Sequence, residues 1–379
     1  MRIAFPMRID ALDKPGGDVG QVRSYIQAGN DLARNGDDGF SGEILTDPAA
    51  DLSPFDVIHL TNLDRPVEAF HFFRNAQKLQ KPTVFSTIHH SLREIRRYER
   101  QGRGGVAGRL TGLLDYNTLE ALRSLVRLRR YPRLIRPTLT AIGFGLHRAQ
   151  IEILKGTARI LVLTLKEQTD TCSDFCALDA ARFLCIRNGV ELGSTTAPTV
   201  PAERDVAVCV VGRIEARKNQ LAILRALNEL KIVGVFLGAE NPNHPGYCAR
   251  FHRAIEASRS TFLGAGSHQD ALAWMRRSLV HVSASWFEVA SLVDIEASSA
   301  GCVVVSSQCG GTRELLGDRA IYVDPADYSS LKEGIRSALA QAVQLSHDNL
   351  ARPGQEFPSW QQAARQLAGL YRAVLAEST

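Results

Sequence analysis

A strand–helix–strand unit between residues 279 and 306 constrains the fold of this chain more than any other feature. Two short apolar segments, residues 279–283 and 302–306, enclose an apolar stretch that ends at Gly301. The same alternation of strand-like and helical segments runs through the chain, which predicts parallel sheets covered by helices. Because 379 residues exceed what one hydrophobic core normally supports, we expect two domains.

Two glutamates in this unit, Glu288 and Glu296, indicate a ligand site. If the helix starts near Val289, they lie about 12 Å apart along its axis. Carboxylates that hydrolyse a glycosidic bond lie roughly 5–9.5 Å apart, so these two contact different groups. The helix start between them suits an anionic phosphate, with a sugar on one glutamate and a ribose on the other. The alternative is an ordinary N-cap carboxylate and an exposed helix residue.

A second unit upstream carries basic residues at a strand-to-helix junction. Residues 206–211 predict a buried strand, followed by a glycine turn and a helix from about Asn219. Arg213 and Lys218 flank the turn and could clamp a diphosphate. They could equally be solvated surface residues. A cation at a helix start opposes the helix dipole, however, and a bound anion would remove that cost.

The amino-terminal half contains a weaker candidate of the same kind. A strand at residues 2–6 precedes Gly16 and Gly17 and then a predicted helix. Glycines here could admit a ligand or simply allow a tight turn. His89 and His90 follow another strand, where ligands of open α/β sheets collect.

Four motifs in order resemble the retaining glycosyltransferases of the GT-B fold, family 4, also called glycosyl transferases group 1. They are NGVE at 188–191, GR with KN at 212–219, the paired glutamates, and GGTREL at 310–315. The resemblance covers nearly the whole chain. It implies an α/β protein with two Rossmann-like, doubly wound parallel-sheet domains facing across a cleft, the donor being held mainly by the second.

The resemblance also implies roles for individual residues. Arg213 and Lys218 would bind the diphosphate, Glu288 the transferred sugar and Glu296 the ribose, and His89 would lie at the reaction centre. The family usually has Phe-Gly where this chain has Ala290 and Ser291; glycine there would allow close backbone approach. The further substrate-binding positions are Gly16, Gly17, Asp18, Ala265, Gly266, Val289, Ala290, Ser291 and Leu292.

The predicted function is transfer of a hexose from a nucleoside-diphosphate sugar to a glycan or lipid-linked acceptor, with retention of configuration. Mannose is the hexose that we predict. The resemblance implies no obligatory metal and no cofactor, and the chain has no Asp-x-Asp motif. One alternative is a phosphorylase of the same fold, against which the ribose role of Glu296 argues. Another is a catalytically silent sugar-nucleotide-binding subunit, which the Ala290-Ser291 departure favours.

Domain limits are predicted from composition. Residues 192–204 are rich in Ser, Thr and Pro and suggest a linker. We expect an acceptor-binding domain at 1–195 with a basic insertion at about 93–150, and a donor-binding domain at 196–355. A terminal helix at 356–379 would pack back on the first domain, as the resemblance implies.

Charge is concentrated in one segment of the chain. Residues 93–148 contain 13 arginines and four acidic residues, in a chain of net charge +5. Apolar residues alternate with these arginines, which predicts an anionic membrane surface or a lipid diphosphate as partner. The alternative is a helix pair with a solvated basic face. Nucleic acid would also be attracted, but no nucleic-acid module is recognisable.

Cysteine usage and hydropathy predict the location. Seven scattered cysteines without a CxxC motif fit a reducing environment. No signal-peptide pattern and no run of roughly 18 apolar residues are present. We therefore expect a cytoplasmic protein, attached peripherally to the inner face of the membrane if the basic segment binds lipid.

Overall fold

The computed structural model describes residues 1–14, 16–104, 108, 111–190, 204–347 and 357–377. The predicted linker at 192–204 lies outside these residues except for Arg204. The chain forms two compact units. Unit 1 contains Met1–Leu92, Leu114–Gly189 and Phe357–Thr379, and unit 2 contains Arg93–Leu113 and Val190–Glu356.

Each unit is built on a parallel sheet, as the alternation of strands and helices predicts. Among the described residues, the six strands of unit 1 have the order β2-β1-β3-β4-β5-β6 and those of unit 2 the order β12-β11-β10-β7-β8-β9. In chain order the strands are β1 (Arg2–Pro6), β2 (Ser41–Leu45), β3 (Val57–Thr61), β4 (Thr83–Ser86), β5 (Arg159–Val162), β6 (Phe183–Cys185), β7 (Val206–Val211), β8 (Gly234–Leu237), β9 (Thr261–Phe262), β10 (Ser278–Val282), β11 (Val303–Ser307) and β12 (Ala320–Val323).

Helices connect successive strands and cover the sheets. A short π-helix, Tyr98–Gly102, continues from the third of them. The α-helices are α1 (Gly17–Arg34), α2 (Pro66–Lys78), α3 (Leu92–Arg97), α4 (Tyr116–Leu128), α5 (Ile135–Phe144), α6 (Leu146–Gly156), α7 (Leu165–Asp174), α8 (Gln220–Glu229), α9 (Pro245–Glu256), α10 (His268–Arg277), α11 (Leu292–Ser299), α12 (Thr312–Leu316), α13 (Tyr328–His347) and α14 (Trp360–Glu377).

The core of unit 1 lies on both faces of its sheet. On one face β1 packs against α1 and α14, and on the other α2, α5 and α6 cover the strands. In the core next to α14, the Tyr371 hydroxyl lies 2.6 Å from Nδ1 of His59, and Nε2 of that histidine lies 2.7 Å from the Ser86 hydroxyl. Burial lowers the pKa of His59 to about 3, so the ring is neutral and bridges the two hydroxyls. The terminal helix is thereby fixed to the first sheet.

The basic segment was expected to belong entirely to the first domain, but the structure divides it between the units at Leu113. Its first part is held in unit 2 by specific contacts. The Gly310 N–H donates to Glu94 Oε1 at 3.1 Å, and Arg97 pairs with Asp324 at 2.8 Å. Tyr98 joins the buried apolar cluster of unit 2. No helix in the described part of the chain is both long and apolar enough to cross a bilayer.

Candidate functional site

The strand order of unit 2 reverses between β7 and β10, so the chain leaves the carboxyl ends of these neighbouring strands toward opposite sides of the sheet. Open α/β sheets bind ligands in the crevice at such a point. Two loops begin there, residues 212–219 after β7 and residues 283–291 after β10. A backbone bond joins them, because the Trp286 N–H donates to the Arg217 carbonyl at 2.9 Å. A small cavity is lined by Lys218, Ser283 and Ser291, among others.

Glu288 and Lys218, predicted from distant motifs, contact each other directly. The Lys218 ammonium donates to Glu288 Oε1, and Arg217 Nη1 donates to the same oxygen at 2.9 Å. The side chains of Lys218 and Glu288 are only 18% and 12% exposed, so water screens the pair weakly. The predicted sugar-contacting carboxylate therefore neutralises a cation predicted to bind the diphosphate.

Arg217 is a site residue that the sequence analysis missed. Its guanidinium bonds Glu288 on one side and Glu215 on the other, at 2.9 Å in both ion pairs. Burial lowers the pKa of Arg217, but the two carboxylates outweigh burial and raise it above its usual value. Burial would raise the pKa of Glu215, but Arg217 and the Asn241 amide hold it below its usual range. The signal for this network was an acid among three basic residues in the sequence RIEARK.

Arg213 lies half-buried in the same loop. Its carbonyl accepts a bond of 2.7 Å from the Gln220 side chain at the start of α8. Asn219 precedes that helix in the left-handed region, with φ of 59°, and its amide donates to the Pro325 carbonyl at 3.1 Å. The predicted strand at 206–211 and the helix from about Asn219 are confirmed.

The predicted start of the glutamate-bearing helix is wrong by three residues. Helix α11 begins at Leu292, because Ser291 is its N-cap and accepts a 3.4 Å bond from the Asp294 N–H. Glu288 consequently lies in the loop before the helix. Buried Val289 and half-buried Ala290 lie in that loop too, so backbone N–H groups at the helix start belong to Leu292 and its successors.

The GGTREL turn fixes the Glu288 loop. The Gly311 N–H donates to the Val289 carbonyl at 2.8 Å, and the Ser291 N–H donates to the Thr312 hydroxyl at 3.2 Å. Gly310 has φ of 80°, and a Cβ at this position would lie 2.0 Å from the Glu288 carbonyl oxygen. Only glycine fits at this contact.

Buried polar groups fix the helix that follows. Ser306 donates to one carboxylate oxygen of Asp294 at 2.5 Å, and His281 Nε2 lies 3.2 Å from the other. All three residues are buried. They attach α11 to β10 and β11, and so set the position of Glu296, which accepts a 2.8 Å bond from His268. The predicted base-contacting residues Ala265 and Gly266 are exposed in the loop before α10.

The predicted residues of the amino-terminal half lie in unit 1. Gly16 is the N-cap of α1 and Gly17 its first residue. Asp18, expected to bind substrate, pairs with Arg8 at 3.0 Å, and Arg8 also pairs with Asp10 at 2.8 Å. Burial raises the pKa of Asp18, but Arg8 lowers it below the usual value. This carboxylate therefore stays charged within an ion-pair network.

His89 is held between two carboxylates. Its Nδ1 lies 2.7 Å from Asp64 and its Nε2 2.9 Å from Asp174, and the side chain is fully buried. Burial lowers the pKa of His89, but the carboxylates raise it to about 10. His90 Nδ1 lies 2.7 Å from the other oxygen of Asp64. Since both nitrogens of His89 contact carboxylates, the structure does not present its ring to a ligand, and its catalytic role stays a prediction.

No cluster of three or more His, Cys, Asp or Glu side chains suited to a metal ion occurs within the described ranges.

The candidate residues form two sets, one at the carboxyl edge of each sheet. In unit 2 the structure brings Lys218, Glu288 and Arg217 together, and Ser291 lies at the same cavity as Lys218. It places Glu296 about one turn into α11, bonded to His268.

Comparisons with known proteins agree with this architecture. Residues 205–341 match the family described as "Glycosyl transferases group 1". A glycogen synthase of Mycobacterium tuberculosis is 27% identical over 240 residues, covering 56% of this chain and 54% of that protein. The chain thus spans about half the length of this curated relative.

Two solved structures extend the similarity to the whole chain. Sucrose-phosphate synthase from Thermosynechococcus elongatus superimposes with a TM-score of 0.69 at 16% identity, covering 100% of both chains. Anabaena Alr3699/HepE in complex with UDP and glucose gives a TM-score of 0.62 at 15% identity, covering 100% of this chain and 98% of that one. Residues 205–341 thus match the model of the glycosyl transferases group 1 family, and the two parallel-sheet units give the chain the GT-B fold.

Proposed function

We propose that this protein transfers a hexose from a nucleoside-diphosphate sugar to a hydroxyl group of a glycan or lipid-linked acceptor, with retention of anomeric configuration. One observation carries the proposal: Lys218, Arg217 and Glu288 meet at the strand-order reversal of unit 2, beside the start of α11. Cations and helix N–H groups at such a point suit a diphosphate. The family of residues 205–341 supports the same chemistry.

The charges at this site match those that develop in the reaction. Breaking the bond between the anomeric carbon and the diphosphate leaves negative charge on the phosphate and positive charge on the sugar ring. Lys218 and Arg213 stabilise the leaving phosphate, and groups oriented in advance for such charge usually make the largest contribution to catalysis. Glu288 contacts the transferred sugar and orients it.

Donor binding has to rearrange the Glu288 ion pair. Lys218 bonds Glu288, so a phosphate oxygen must share or replace this carboxylate. The exchange releases Glu288 toward the sugar when the diphosphate binds Lys218. The ammonium therefore keeps an anionic partner before and after the exchange.

Retention is proposed through attack on the same face from which the phosphate leaves. The acceptor oxygen bonds the anomeric carbon, the carbon–phosphate oxygen bond breaks, and the acceptor proton passes to the departing phosphate oxygen. We propose that no metal ion takes part, because Lys218, Arg213 and the backbone at α11 supply the positive charge. Glu296 binds the ribose, and the backbone near Ala265 and Gly266 contacts the base.

Two sugar nucleotides are candidate donors. Sequence reasoning favours GDP-mannose, whereas one structural neighbour binds UDP and glucose. Both donors therefore belong in a panel of UDP-, GDP-, ADP- and dTDP-sugars, in which slow release of nucleoside diphosphate reports the reaction. We also propose a cytoplasmic location, because seven scattered cysteines without a CxxC motif fit a reducing environment.

The test compares wild-type protein with Lys218→Ala and Arg213→Ala. Each variant should lose at least tenfold in turnover, about 1.4 kcal/mol of transition-state stabilisation, while its circular dichroism is unchanged. Lys78→Ala, an exposed lysine at the end of α2, is the matched control. Unchanged turnover in both site variants would refute the clamp. Donor binding without release would favour a silent binding subunit, and activity that needs inorganic phosphate but no nucleotide would favour a phosphorylase.

A further inference from the structure

Helix α4 buries two polar side chains beside Leu119 on its inward side. Glu120 and Ser124 are buried, and Arg127 donates to both of them, to the Ser124 hydroxyl at 3.0 Å. Leu122, two residues from each of them and therefore on the other face of the helix, is 49% exposed. Helices on the surface of a soluble protein normally show the opposite arrangement, with the apolar stripe facing the core.

The exposed face of α4 is a continuous apolar stripe. Leu125 and Val126 are 43% and 62% exposed and follow Leu122 at helical spacings of three and four residues. Helix α5, which packs against α4, exposes Ile135 and Leu139, four residues apart. Of the 15 large apolar side chains exposed in the described parts of the chain, seven lie in this short stretch: Leu114, Leu122, Leu125, Val126, Ile135, Leu139 and Phe144.

Positive charge accompanies this apolar surface. Between residues 114 and 148 the only exposed acidic residue is Asp115, the N-cap of α4. The exposed arginines of the stretch are Arg129, Arg130, Arg133, Arg136 and Arg148. One of them, Arg133, pairs with Asp47 of the same unit at 2.8 Å.

We propose that the α4–α5 surface, formed by Leu122, Leu125, Val126, Ile135 and Leu139 with the arginines around them, binds an anionic lipid bilayer. The leucines and Val126 insert between the headgroups, and the arginines contact lipid phosphates. A second copy of the chain would bring like charges together, and nucleic acid would leave the apolar stripe uncovered. This inference deepens the proposed function and rests on it, because a lipid-linked acceptor gives the protein a reason to bind a membrane. The binding test itself does not depend on that acceptor.

The experiment is flotation of the full-length protein with vesicles of phosphatidylcholine containing phosphatidylglycerol, against vesicles of phosphatidylcholine alone. Wild-type protein should float with the anionic vesicles at low salt and bind them less as salt screens the arginines. Arg129→Gln with Arg136→Gln should lower the partition coefficient roughly 25-fold, since each basic residue near an anionic leaflet contributes about a factor of five. Leu125→Gln with Val126→Gln should lower it at least tenfold without changing the charge.

Matched controls lie in unit 2. Arg253→Gln with Arg259→Gln removes the same charge from exposed positions, and Val343→Gln removes an exposed apolar side chain; both should float like wild type. The proposal is overturned if wild type does not float, if site and control variants lose binding equally, or if light scattering shows that the α4 variants abolish self-association instead. Nucleoside diphosphate release without vesicles is measured on the same proteins, so that failure of the proposed function is seen separately.

Discussion

Replacing Glu288 with glutamine should strengthen binding of a nucleoside diphosphate while slowing sugar transfer. This carboxylate accepts bonds from both Lys218 and Arg217. A phosphate oxygen bound to the Lys218 ammonium would lie about 5 Å from the carboxylate, and two like charges at that separation repel by about 3 kcal/mol at an effective dielectric constant of about 20. Moving Glu288 aside costs a similar amount, since each bond to a charged group contributes about 1.5–3 kcal/mol.

Glutamine removes the charge but keeps an oxygen that accepts from Arg217, so only part of this cost disappears. We expect UDP or GDP to bind about tenfold more tightly to Glu288→Gln, about 1.4 kcal/mol. Turnover should fall, because the variant no longer orients the transferred sugar. Isothermal titration with the nucleotide alone measures the first effect, and nucleoside diphosphate release from the sugar donor measures the second.

Glu333→Gln is the control for net charge, because Glu333 is exposed on α13 and pairs with Arg336. It should leave nucleotide affinity unchanged. In the background of Lys218→Gln, the gain from Glu288→Gln should shrink, since the released cation is missing. Weaker nucleotide binding by Glu288→Gln, with an unchanged melting temperature, would refute this account of the ion pair.

Three further predictions concern how the fold supports the two sites. The free energy of unfolding should decline as pH rises from about 6.5, the ordinary histidine pKa, to about 10, the pKa of His89 in the folded protein. The stability contributed by protonated His89 is fully present below about pH 6.5 and is lost as pH rises through about 10. Urea titrations across this range should show the decline in wild type and a flatter profile in His89→Gln. Gly310→Ala should reduce turnover strongly because its Cβ would displace the Glu288 carbonyl, and activity equal to wild type would contradict this geometry. Tyr371→Phe should lower the free energy of unfolding by about 1–3 kcal/mol, since it leaves Nδ1 of buried His59 without its partner; a change below about 0.5 kcal/mol, measured by urea denaturation, would show that the bond contributes little.

Local sequence patterns were enough to predict the architecture of this protein. Strands at 2–6 and 206–211 were predicted because short apolar runs followed by glycine turns encode them locally. Their alternation with helices fixed the parallel sheets. The ordered motifs indicated a resemblance to the glycosyl transferases group 1 family, whose model matches residues 205–341. Local signals failed at the start of α11, where the side chain of Ser291 caps the helix three residues later than expected.

Which side chains meet at the site depends on how the strands are ordered in each sheet. Glu288 and Lys218 are 70 residues apart, and their contact depends on β7 and β10 being neighbours in the sheet. The same holds for His89, which the sequence placed at a strand end but which lies buried between Asp64 and Asp174. In α4 the apolar residues are divided between two sides of the helix, and the sequence does not say which side faces the core. Packing against α5 and α6 buries the side with Leu119, Glu120 and Ser124. Arg127 satisfies the two polar residues there, and the apolar stripe stays exposed.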